Sequence, residues 1–439
     1  MTWAHARLAV ATTALVTALT VSPAFAQTSK IDGADTAWMI GATGLVLMMT
    51  IPGLALFYTG MVRKKNVLAT MAQSLAATFL VSILWAFIGY SLAFTGDGAA
   101  IGTLDRIFLH GMSINSISPL AKTIPESLFM IYQMTFAIIT VALVAGSVAE
   151  RLRFSAYLIF CALWLLLVYV PIVHWVWGGG FLGSYGLIDF AGGTVVHLNA
   201  GVAGLTAAYV LGARRGYGHE NLAPFDLALA VIGTGLLWVG WFGFNGGSAL
   251  GANSRAVMAI VATHLAASTG AITWMALEWW TRGKPSVLGM ISGAVAGLGT
   301  ITPASGFVLP MQAVLIGLIA GAVCFWACTW LKIKCGYDDS LDVFGVHGVG
   351  GLTGTLLAGV LAVGALSASP ELPGGIHGLI EGNPRQVLAQ VYGIGVTILW
   401  SGVLTFIILK AVGTLVPLRV RQEDEVMGLD VSQHGEALQ

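Results

Sequence analysis

The stretch GTVVHLNAG, at residues 193–201, places His197 among apolar and small side chains. The surrounding segment is long enough to cross the hydrocarbon core of a bilayer, which takes about 20 residues. An ionisable side chain at that depth is costly, and it usually faces the interior of a helix bundle or a water-filled path. We therefore expect His197 to lie on a conduction path.

The same pattern occurs a second time at DSLDVFGVHGVGGLTG, which begins at residue 339. Residues 189–213 and 339–363 align without a gap, and in both a histidine follows an aspartate at the same spacing. The coinciding pairs include Asp189/Asp339, His197/His347, Gly201/Gly351 and Gly204/Gly354. Two such repeats, when they have opposite orientations in a membrane, form a substrate path where they meet near the midplane.

The composition is that of a protein embedded in a lipid bilayer. Of the 439 residues, 57% are hydrophobic and 9% are charged, and the mean hydropathy is +0.85. A soluble domain carries about 25% charged residues, so the chain is predicted to be a polytopic membrane protein. Its formal net charge of +0 gives no reason to expect nucleic acid as a partner.

Eleven apolar segments are long enough to span a bilayer. They predict an all-α fold with an inverted repeat of five helices plus five helices, followed by a last helix. His197 falls on the fifth segment and His347 on the tenth. The predicted spans are 36–60, 67–95, 124–148, 154–178, 192–213, 225–249, 255–280, 286–304, 308–332, 343–366 and 388–415.

Residues 1–26 have the features of a signal peptide, with a polar start, an apolar stretch and AFA directly before Gln27. The alternative is an uncleaved first helix, but the apolar run is short for a span. Cleavage puts the N-terminus outside the cytoplasm. We therefore predict an N-out/C-in topology, with a membrane domain at 27–415 and a cytoplasmic tail at 416–439. The segments RKK (63–65), ERLR (150–153), RR (214–215), RGK (282–284) and KIK (332–334) then fall on the cytoplasmic side, as the positive-inside rule requires.

Several other polar residues have a structural explanation that outweighs a functional one. Asp189 precedes the fifth helix, where a carboxylate caps backbone N–H groups. Direct coordination of a cation by Asp189 is the alternative, and it would slow the release of that cation. His264, on the seventh helix, has no symmetric counterpart, so we expect a hydrogen-bonded structural role. Cys324 and Cys328 are expected to pack in the core, and we predict no metal site and no cofactor.

Aromatic side chains gather towards the external ends of three predicted helices. An aromatic belt at the membrane interface is the ordinary explanation. Aromatic faces also attract a small cation, with about 2 kcal/mol available at a desolvated site, and a nearby hydroxyl accepts hydrogen bonds from it. The pattern therefore predicts an external site for a donor-rich cation. The residues are Tyr132, Phe136, Trp177, Trp241, Phe244 and Ser248.

Five motifs occur in one chain, namely DFAGGTVVHLNAG, AERLRFSA, GWFGFNGGS, DVFGVHGVGG and GLDVSQHGE. Together they resemble the ammonium transporter (Amt) branch of the ammonium transporter/methylammonium permease/Rhesus family. The resemblance extends from about residue 32 to the last residues. It implies an eleven-helix protomer, a homotrimer with one pore per subunit, a place in the cytoplasmic membrane of a bacterium and no enzymatic activity.

The resemblance also implies a role for particular residues. Phe136, Trp177 and Ser248 match an external ammonium-recruitment site, and Phe136 with Phe244 matches a stacked gate beneath it. His197 and His347 match a twin-histidine pore pair, with Trp241 beside them in the pore. Asp189 matches an aspartate of structural importance. Tyr132 stands where the family often has Phe, so its hydroxyl is expected to alter the outer vestibule.

The implied function is selective ammonium uptake, in which ammonium is recruited, deprotonated and conducted as ammonia. Transport is electrogenic if the proton follows by a separate route, and the protein is a neutral ammonia channel if the proton stays outside. A membrane ammonium sensor that signals through its tail is a further alternative. For the tail itself, RVRQEDEVMGLDVSQHGEALQ, the resemblance implies contact with neighbouring subunits and with a PII-type signal protein.

Overall fold

The computed structural model describes residues 30–370 and 372–438, so the predicted signal peptide lies outside the described residues. This part of the chain is helical, and its only β-type pairings are two isolated bridges. Eleven helices, α1 to α11, lie at the predicted spans, and ten of them are long and apolar enough to cross a membrane, whereas α8 is a shorter apolar helix. They are α1 Gly33–Met61, α2 Lys64–Phe94, α3 Glu126–Val148, α4 Phe154–Tyr185, α5 Gly193–Leu211, α6 Leu227–Gly247, α7 Ser254–Arg282, α8 Val287–Ile301, α9 Pro310–Cys335, α10 Phe344–Leu361 and α11 Pro384–Leu415.

The predicted all-helical fold is confirmed, and each predicted span coincides with a helix within a few residues. Helix α8 is the shortest, at 15 residues. Helix α4 departs most from its predicted end at residue 178. Gly178 and Gly179 interrupt it there, Gly179 with a φ of +92°, and a further helical turn then forms at Phe181–Tyr185. Glycine adopts this backbone conformation without steric penalty, so the chain bends instead of ending.

Helices α5 and α10 cross in antiparallel directions, as the inverted repeat predicts. A Cβ atom on Gly201 would collide with the backbone of Gly348, and one on Gly351 would lie 2.6 Å from the carbonyl oxygen of Gly193. Positions that advance along α5 therefore meet positions that recede along α10. Small residues let the two backbones touch, which is the packing that membrane helices favour.

Each of the two histidines lies on a wide, π-helical turn at the start of its helix. The turns are Gly193–Leu198 in α5 and Phe344–Gly348 in α10. Such turns are rare in helices and frequent at functional sites. Because both turns adjoin the glycine contact, the repeat and the crossing together bring His197 and His347 to the same level of the bundle.

Residues 416–438 pack against one end of the bundle, which we call the tail end. The backbone of Arg419 pairs with Leu152 between α3 and α4. The ammonium group of Lys65 donates to the carbonyl oxygen of Val426 at 2.7 Å, and the carboxylate of Asp430 accepts from the backbone N–H of Ala69 at 2.8 Å. The tail is therefore held by the loops of its own chain, although its polar composition alone would suggest disorder.

A cluster of buried charges supports the loops beneath the tail. The guanidinium of Arg214 lies 2.8 Å from the carboxylate of Asp338 and 3.5 Å from that of Glu150, and Arg63 lies 2.7 Å from Glu150. Burial alone would raise the pKa of the Glu150 carboxyl, but Arg214 and Arg63 hold that pKa below its usual value. The cluster therefore stays ionised at neutral pH and joins four loops.

The contact between α5 and α10 predicts a strong effect of one methyl group. Gly201→Ala should force the two backbones apart and lower the free energy of unfolding by about 1–3 kcal/mol, the usual scale of overpacking. Thermal denaturation of the purified protein in detergent measures this. Gly395→Ala, on α11, is the matched control, because a Cβ atom there meets nothing within 4 Å. An equal melting temperature for both variants would contradict the close crossing.

Candidate functional site

Three cavities follow one another from the end opposite the tail to the tail end. The first, the aromatic cavity, measures about 280 Å³. The central cavity measures about 10 Å³, room for about one water molecule. The tail-end cavity measures about 410 Å³ and shares Phe57, Val295 and His347 with the central cavity. The aromatic cavity is lined by Phe94, Leu120, Phe129, Gln133, Phe136, Val176, Trp177, Phe190, Ser248 and Leu250.

Phe136, Trp177 and Ser248 meet in the aromatic cavity, as the sequence predicts. The rings of Phe136 and Trp177 are perpendicular, with centroids 5.8 Å apart. The Trp177 indole N–H donates to the carbonyl oxygen of Asp189, so a ligand in the cavity contacts the aromatic ring and not the N–H group. The Ser248 hydroxyl donates to the carbonyl oxygen of Phe244 at 2.8 Å and lies 3.4 Å from the Tyr132 hydroxyl, so its oxygen keeps at least one lone pair that can accept from a ligand. None of the lining residues of this cavity is charged.

Phe136 and Phe244 close the path below the aromatic cavity. Their rings stack with centroids 4.1 Å apart and an interplanar angle of 24°, and both side chains are buried. Phe136 lines the aromatic cavity and Phe244 lines the central cavity. The stacked pair therefore separates the two spaces, and a molecule that passes between them has to displace at least one ring.

His197 and His347 face each other in the central cavity. Their Nδ1 atoms lie 3.2 Å apart and their rings are nearly parallel, at 14°. One Nδ1 therefore donates and the other accepts, so the pair shares a single proton at this contact. Nε2 of His197 is buried and has no hydrogen-bond partner among the described residues. The rest of the lining is apolar or aromatic, so the imidazoles are the polar groups of a dry passage.

Trp241 forms one wall of the central cavity. Its indole ring stacks on His197, with centroids 5.5 Å apart, and its N–H donates to the Thr302 hydroxyl at 2.9 Å. The hydrogen bond to α8 fixes the orientation of the indole. The stacking in turn restricts the rotation of the His197 ring, which keeps Nδ1 directed at His347.

Comparison with known proteins identifies the family of this chain. A model of the Ammonium Transporter Family matches residues 37–438. The chain belongs to the ammonium transporter family. It is 48% identical over 415 residues to an ammonium transporter of Aquifex aeolicus, covering 94% of this chain and 95% of that protein. It is 47% identical over 406 residues to a putative ammonium transporter of Methanothermobacter thermautotrophicus, covering 92% and 98%. Members of this family are transporters and not enzymes.

Solved structures of the family have the same fold. The crystal structure of Saccharomyces cerevisiae Mep2 matches with a TM-score of 0.83 and 37% identity, covering 90% of this chain and 88% of that one. A structure described as a sensor Amt protein matches with a TM-score of 0.82 and 29% identity, covering 91% and 98%. The chain is therefore a multi-pass membrane transporter with the ammonium transporter fold.

Asp189 holds the first turn of α5 in this transporter. Its two carboxylate oxygens accept hydrogen bonds from the backbone N–H groups of Gly192, Gly193 and Thr194, all at 2.7 Å, and from the Thr194 hydroxyl. The side chain is 7% exposed. With both oxygens already engaged by the chain, this geometry favours capping over cation coordination. The contacts also fix the turn that carries His197.

The symmetric aspartate of the transporter is held less completely. Asp339 accepts from the backbone N–H of Phe344 at 2.7 Å, and its Oδ1 has no partner among the described residues. Burial raises the pKa of the Asp339 carboxyl. The third residue after the aspartate is Gly192 in the first repeat and Asp342 in the second. The carboxylate of Asp342 lies 2.8 Å from the ammonium group of Lys332. The second repeat therefore has fewer capping hydrogen bonds than the first and has in addition an ion pair beside the tail-end cavity.

Three sequence-based expectations need a structural correction or completion. Tyr132 does not itself line the aromatic cavity, but its buried hydroxyl donates to α6 carbonyl oxygens and lies 3.4 Å from the Ser248 hydroxyl, which does line it. His264 lies on the exposed outer face of α7, beside the Trp238 ring at 5.5 Å, and not on the path. Cys324 is buried, whereas Cys328 borders the tail-end cavity.

Sequence reasoning missed the residues that complete the walls. Phe94, Phe129 and Phe190 line the aromatic cavity, and so does Gln133 on α3. The sequence did contain a signal for Gln133, because an amide is unusual in the middle of a predicted membrane span. The tail-end cavity is lined by charges of both signs, namely Arg214, Arg282, Lys332, Glu220, Glu278 and Asp342. Its charged lining contrasts with the neutral aromatic cavity.

Asp189→Asn separates capping from cation coordination. An amide presents N–H groups to the backbone N–H groups of the first turn, so the free energy of unfolding should fall by about 3 kcal/mol, as expected for loss of hydrogen bonds to a charged group. Thermal denaturation with and without ammonium measures this. Asp226→Asn, at the exposed cap of α6, is the control and should change little. An unchanged melting temperature with weakened ammonium binding would favour direct coordination.

Proposed function

We propose that this transporter takes up ammonium selectively across the cytoplasmic membrane. Ammonium is recruited in the aromatic cavity, loses its proton above the histidine pair and crosses the central cavity as ammonia. The single observation that carries the proposal is the order of the cavities along one path. A neutral aromatic cavity with acceptors is followed by the stacked Phe136–Phe244 pair and a dry passage of about 10 Å³ that contains His197 and His347.

The chemistry of the aromatic cavity supports recruitment of ammonium over potassium. The two ions have similar charge and size, so the diameter of a hole separates them poorly. Ammonium donates hydrogen bonds, which the Ser248 hydroxyl accepts, and the faces of Phe136 and Trp177 attract its charge. Potassium gains only the aromatic contribution and has no hydrogen bond to donate. Because the cavity has no carboxylate in its lining, it does not retain cations indiscriminately.

The central cavity supports deprotonation. An intact cation loses most of its hydration in a passage that admits about one water molecule, and burial of an unpaired charge is costly. Neutral ammonia avoids that cost. It also donates to and accepts from imidazole nitrogens, which suits the unpartnered Nε2 of His197. Passage as ammonia excludes potassium a second time, because potassium has no neutral form.

The histidine pair offers the released proton a route. The shared Nδ1 contact at 3.2 Å joins two groups that titrate as a coupled pair. A proton handed from one imidazole to the other moves separately from ammonia, and net transport is then electrogenic. In the alternative, the proton stays outside and the protein is an electrically silent ammonia channel.

Orientation and assembly follow from the same proposal. We infer an N-out/C-in topology in a bacterial inner membrane, with the aromatic cavity outside and the tail in the cytoplasm, since the Lys- and Arg-rich loops lie at the tail end. We also infer a homotrimer with one pore per chain. The exposed His264 on α7 supports it, because lipid offers an imidazole no hydrogen-bond partner and a second copy does.

Residues 416–438 support a regulatory role for the tail. They dock on the loops around the tail-end cavity, and the Glu425 carboxylate links Arg419 to the backbone of Arg215. We propose that a PII-type signal protein binds this surface and closes the exit. A sensor function is the second candidate, favoured by the 29% identity to the structure described as a sensor Amt protein.

Replacing either histidine tests the pore assignment. His197→Leu and His347→Leu should each lower the ammonium-driven current by roughly 100-fold, the usual scale for loss of a positioned proton acceptor, or admit potassium. The measurement is the transient current of proteoliposomes after matched pulses of ammonium and potassium chloride. His264→Gln is the control and should keep the wild-type current and selectivity.

The same recordings separate the alternatives. A double His197→Leu/His347→Leu variant with normal current and selectivity would contradict the relay. Wild-type protein that gives no current, while the internal pH still reports ammonia uptake, would establish the neutral channel. Neither current nor uptake, with ammonium binding retained, would favour the sensor.

Removal of residues 416–439 tests the tail. The truncated protein should lose binding to a PII-type protein, measured by co-purification at matched amounts of transporter, while it keeps ammonium-driven current. A truncated transporter that binds the PII-type protein at full strength would refute the assignment of the surface.

A further inference from the structure

Gln133 is a buried amide that the surrounding protein leaves unsatisfied. Its side chain lies on α3, the residue is 7% exposed, and its Oε1 atom is buried without a hydrogen-bond partner among the described residues. An amide oxygen in that condition is costly unless water or a ligand pairs with it. The preceding residue, Tyr132, differs in this respect, because its hydroxyl has hydrogen-bond partners in α6.

The cavity that Gln133 lines determines what can satisfy it. Among the lining residues of the aromatic cavity, the Gln133 amide and the Ser248 hydroxyl are the only side-chain oxygens. Phe136 and Trp177 line the same space. A volume of about 280 Å³ is large enough for several water molecules or for a small hydrated cation. Gln133 therefore borders the place where a cation would rest, with its Oε1 atom buried beside that space.

We propose that Gln133 is the second hydrogen-bond acceptor of the ammonium-recruitment site and a specificity-determining residue. The inference rests on the proposed function. Ammonium has four N–H donors in tetrahedral directions, and the Ser248 oxygen accepts one of them. A half turn about the terminal bond of Gln133 directs its carbonyl oxygen at a second donor. The remaining donors point to the faces of Phe136 and Trp177, which interact with cations.

The neutrality of the amide is what makes it selective. A carboxylate at residue 133 would attract any monovalent cation, because the interaction of two charges does not depend on hydrogen-bond donors. An amide oxygen accepts a hydrogen bond from ammonium, whereas it offers potassium only one weak ligand. Two oxygens do not replace the hydration shell of potassium, which protein sites replace with rings of carbonyl oxygens. Gln133 therefore strengthens ammonium binding without strengthening potassium binding.

The chain contains a matched control for this residue. Gln73, on α2, is 6% exposed and also has a buried Oε1 without a partner among the described residues. It lies on a separate small cavity beside the tail, with Asn66 and Gln433. Gln73→Leu therefore makes the same chemical change at the same burial, away from the aromatic cavity.

The experiment measures transient currents of the full-length protein in proteoliposomes over a series of ammonium concentrations, with and without external potassium. Gln133→Leu should raise the half-saturating ammonium concentration roughly tenfold, as loss of a hydrogen bond to a charged donor predicts, and keep the maximal current per transporter. Gln133→Glu should lower the half-saturating concentration and make potassium a competitive inhibitor. Gln73→Leu should match the wild type in both respects.

Several results would overturn the proposal. They are an unchanged half-saturation in Gln133→Leu, a loss of maximal current alone, an equal shift in Gln73→Leu, and no competition by potassium in Gln133→Glu. If Gln133→Leu does not fold, the potassium competition in Gln133→Glu decides the matter. Wild-type protein without any ammonium-dependent current or uptake would overturn the proposed function itself, and the inference with it.

Discussion

The backbones of α5 and α10 touch at Gly201 and Gly348, and the geometry of the path depends on that contact. Because no side chain separates the helices there, the two π-helical turns that begin them lie side by side. The Nδ1 atoms of His197 and His347 consequently come within 3.2 Å. A larger residue at the crossing would move the imidazoles apart before it disturbed any other wall of the central cavity.

The three cavities along the path differ in the charge of the side chains that line them. The aromatic cavity has a neutral lining, and the central cavity has only the imidazoles as polar groups, whereas the tail-end cavity is lined by acidic and basic side chains. From the aromatic cavity towards the tail end, rings and hydrogen-bond acceptors are followed by a dry constriction, and charged groups line the path again only beyond His347. In the uptake that we propose, this order favours a species that can lose its proton.

At the tail end, a buried cluster of charges lies beneath the docked tail. Arg214 is buried between Asp338 and Glu150, and removing one member of such a cluster would leave a buried charge unpaired, which is strongly destabilising. The same cluster lies beneath the segment that pairs with the tail at Leu152 and Arg419. A partner that binds or displaces the tail therefore acts on loops that also border the exit of the path.

The sequence by itself determined that the fold is all-helical, the approximate ends of the helices and the repeat that carries the two histidines. Span-length apolar runs and the aligned repeat depend only on local composition and order, so the predicted helical fold was confirmed. The tertiary structure alone decided which polar side chains face the path. Tyr132 turns to α6, His264 lies on the outer face, and Gln133 lines the aromatic cavity. In a membrane bundle the lipid-facing and buried sides of a helix are both apolar, so periodicity does not distinguish them.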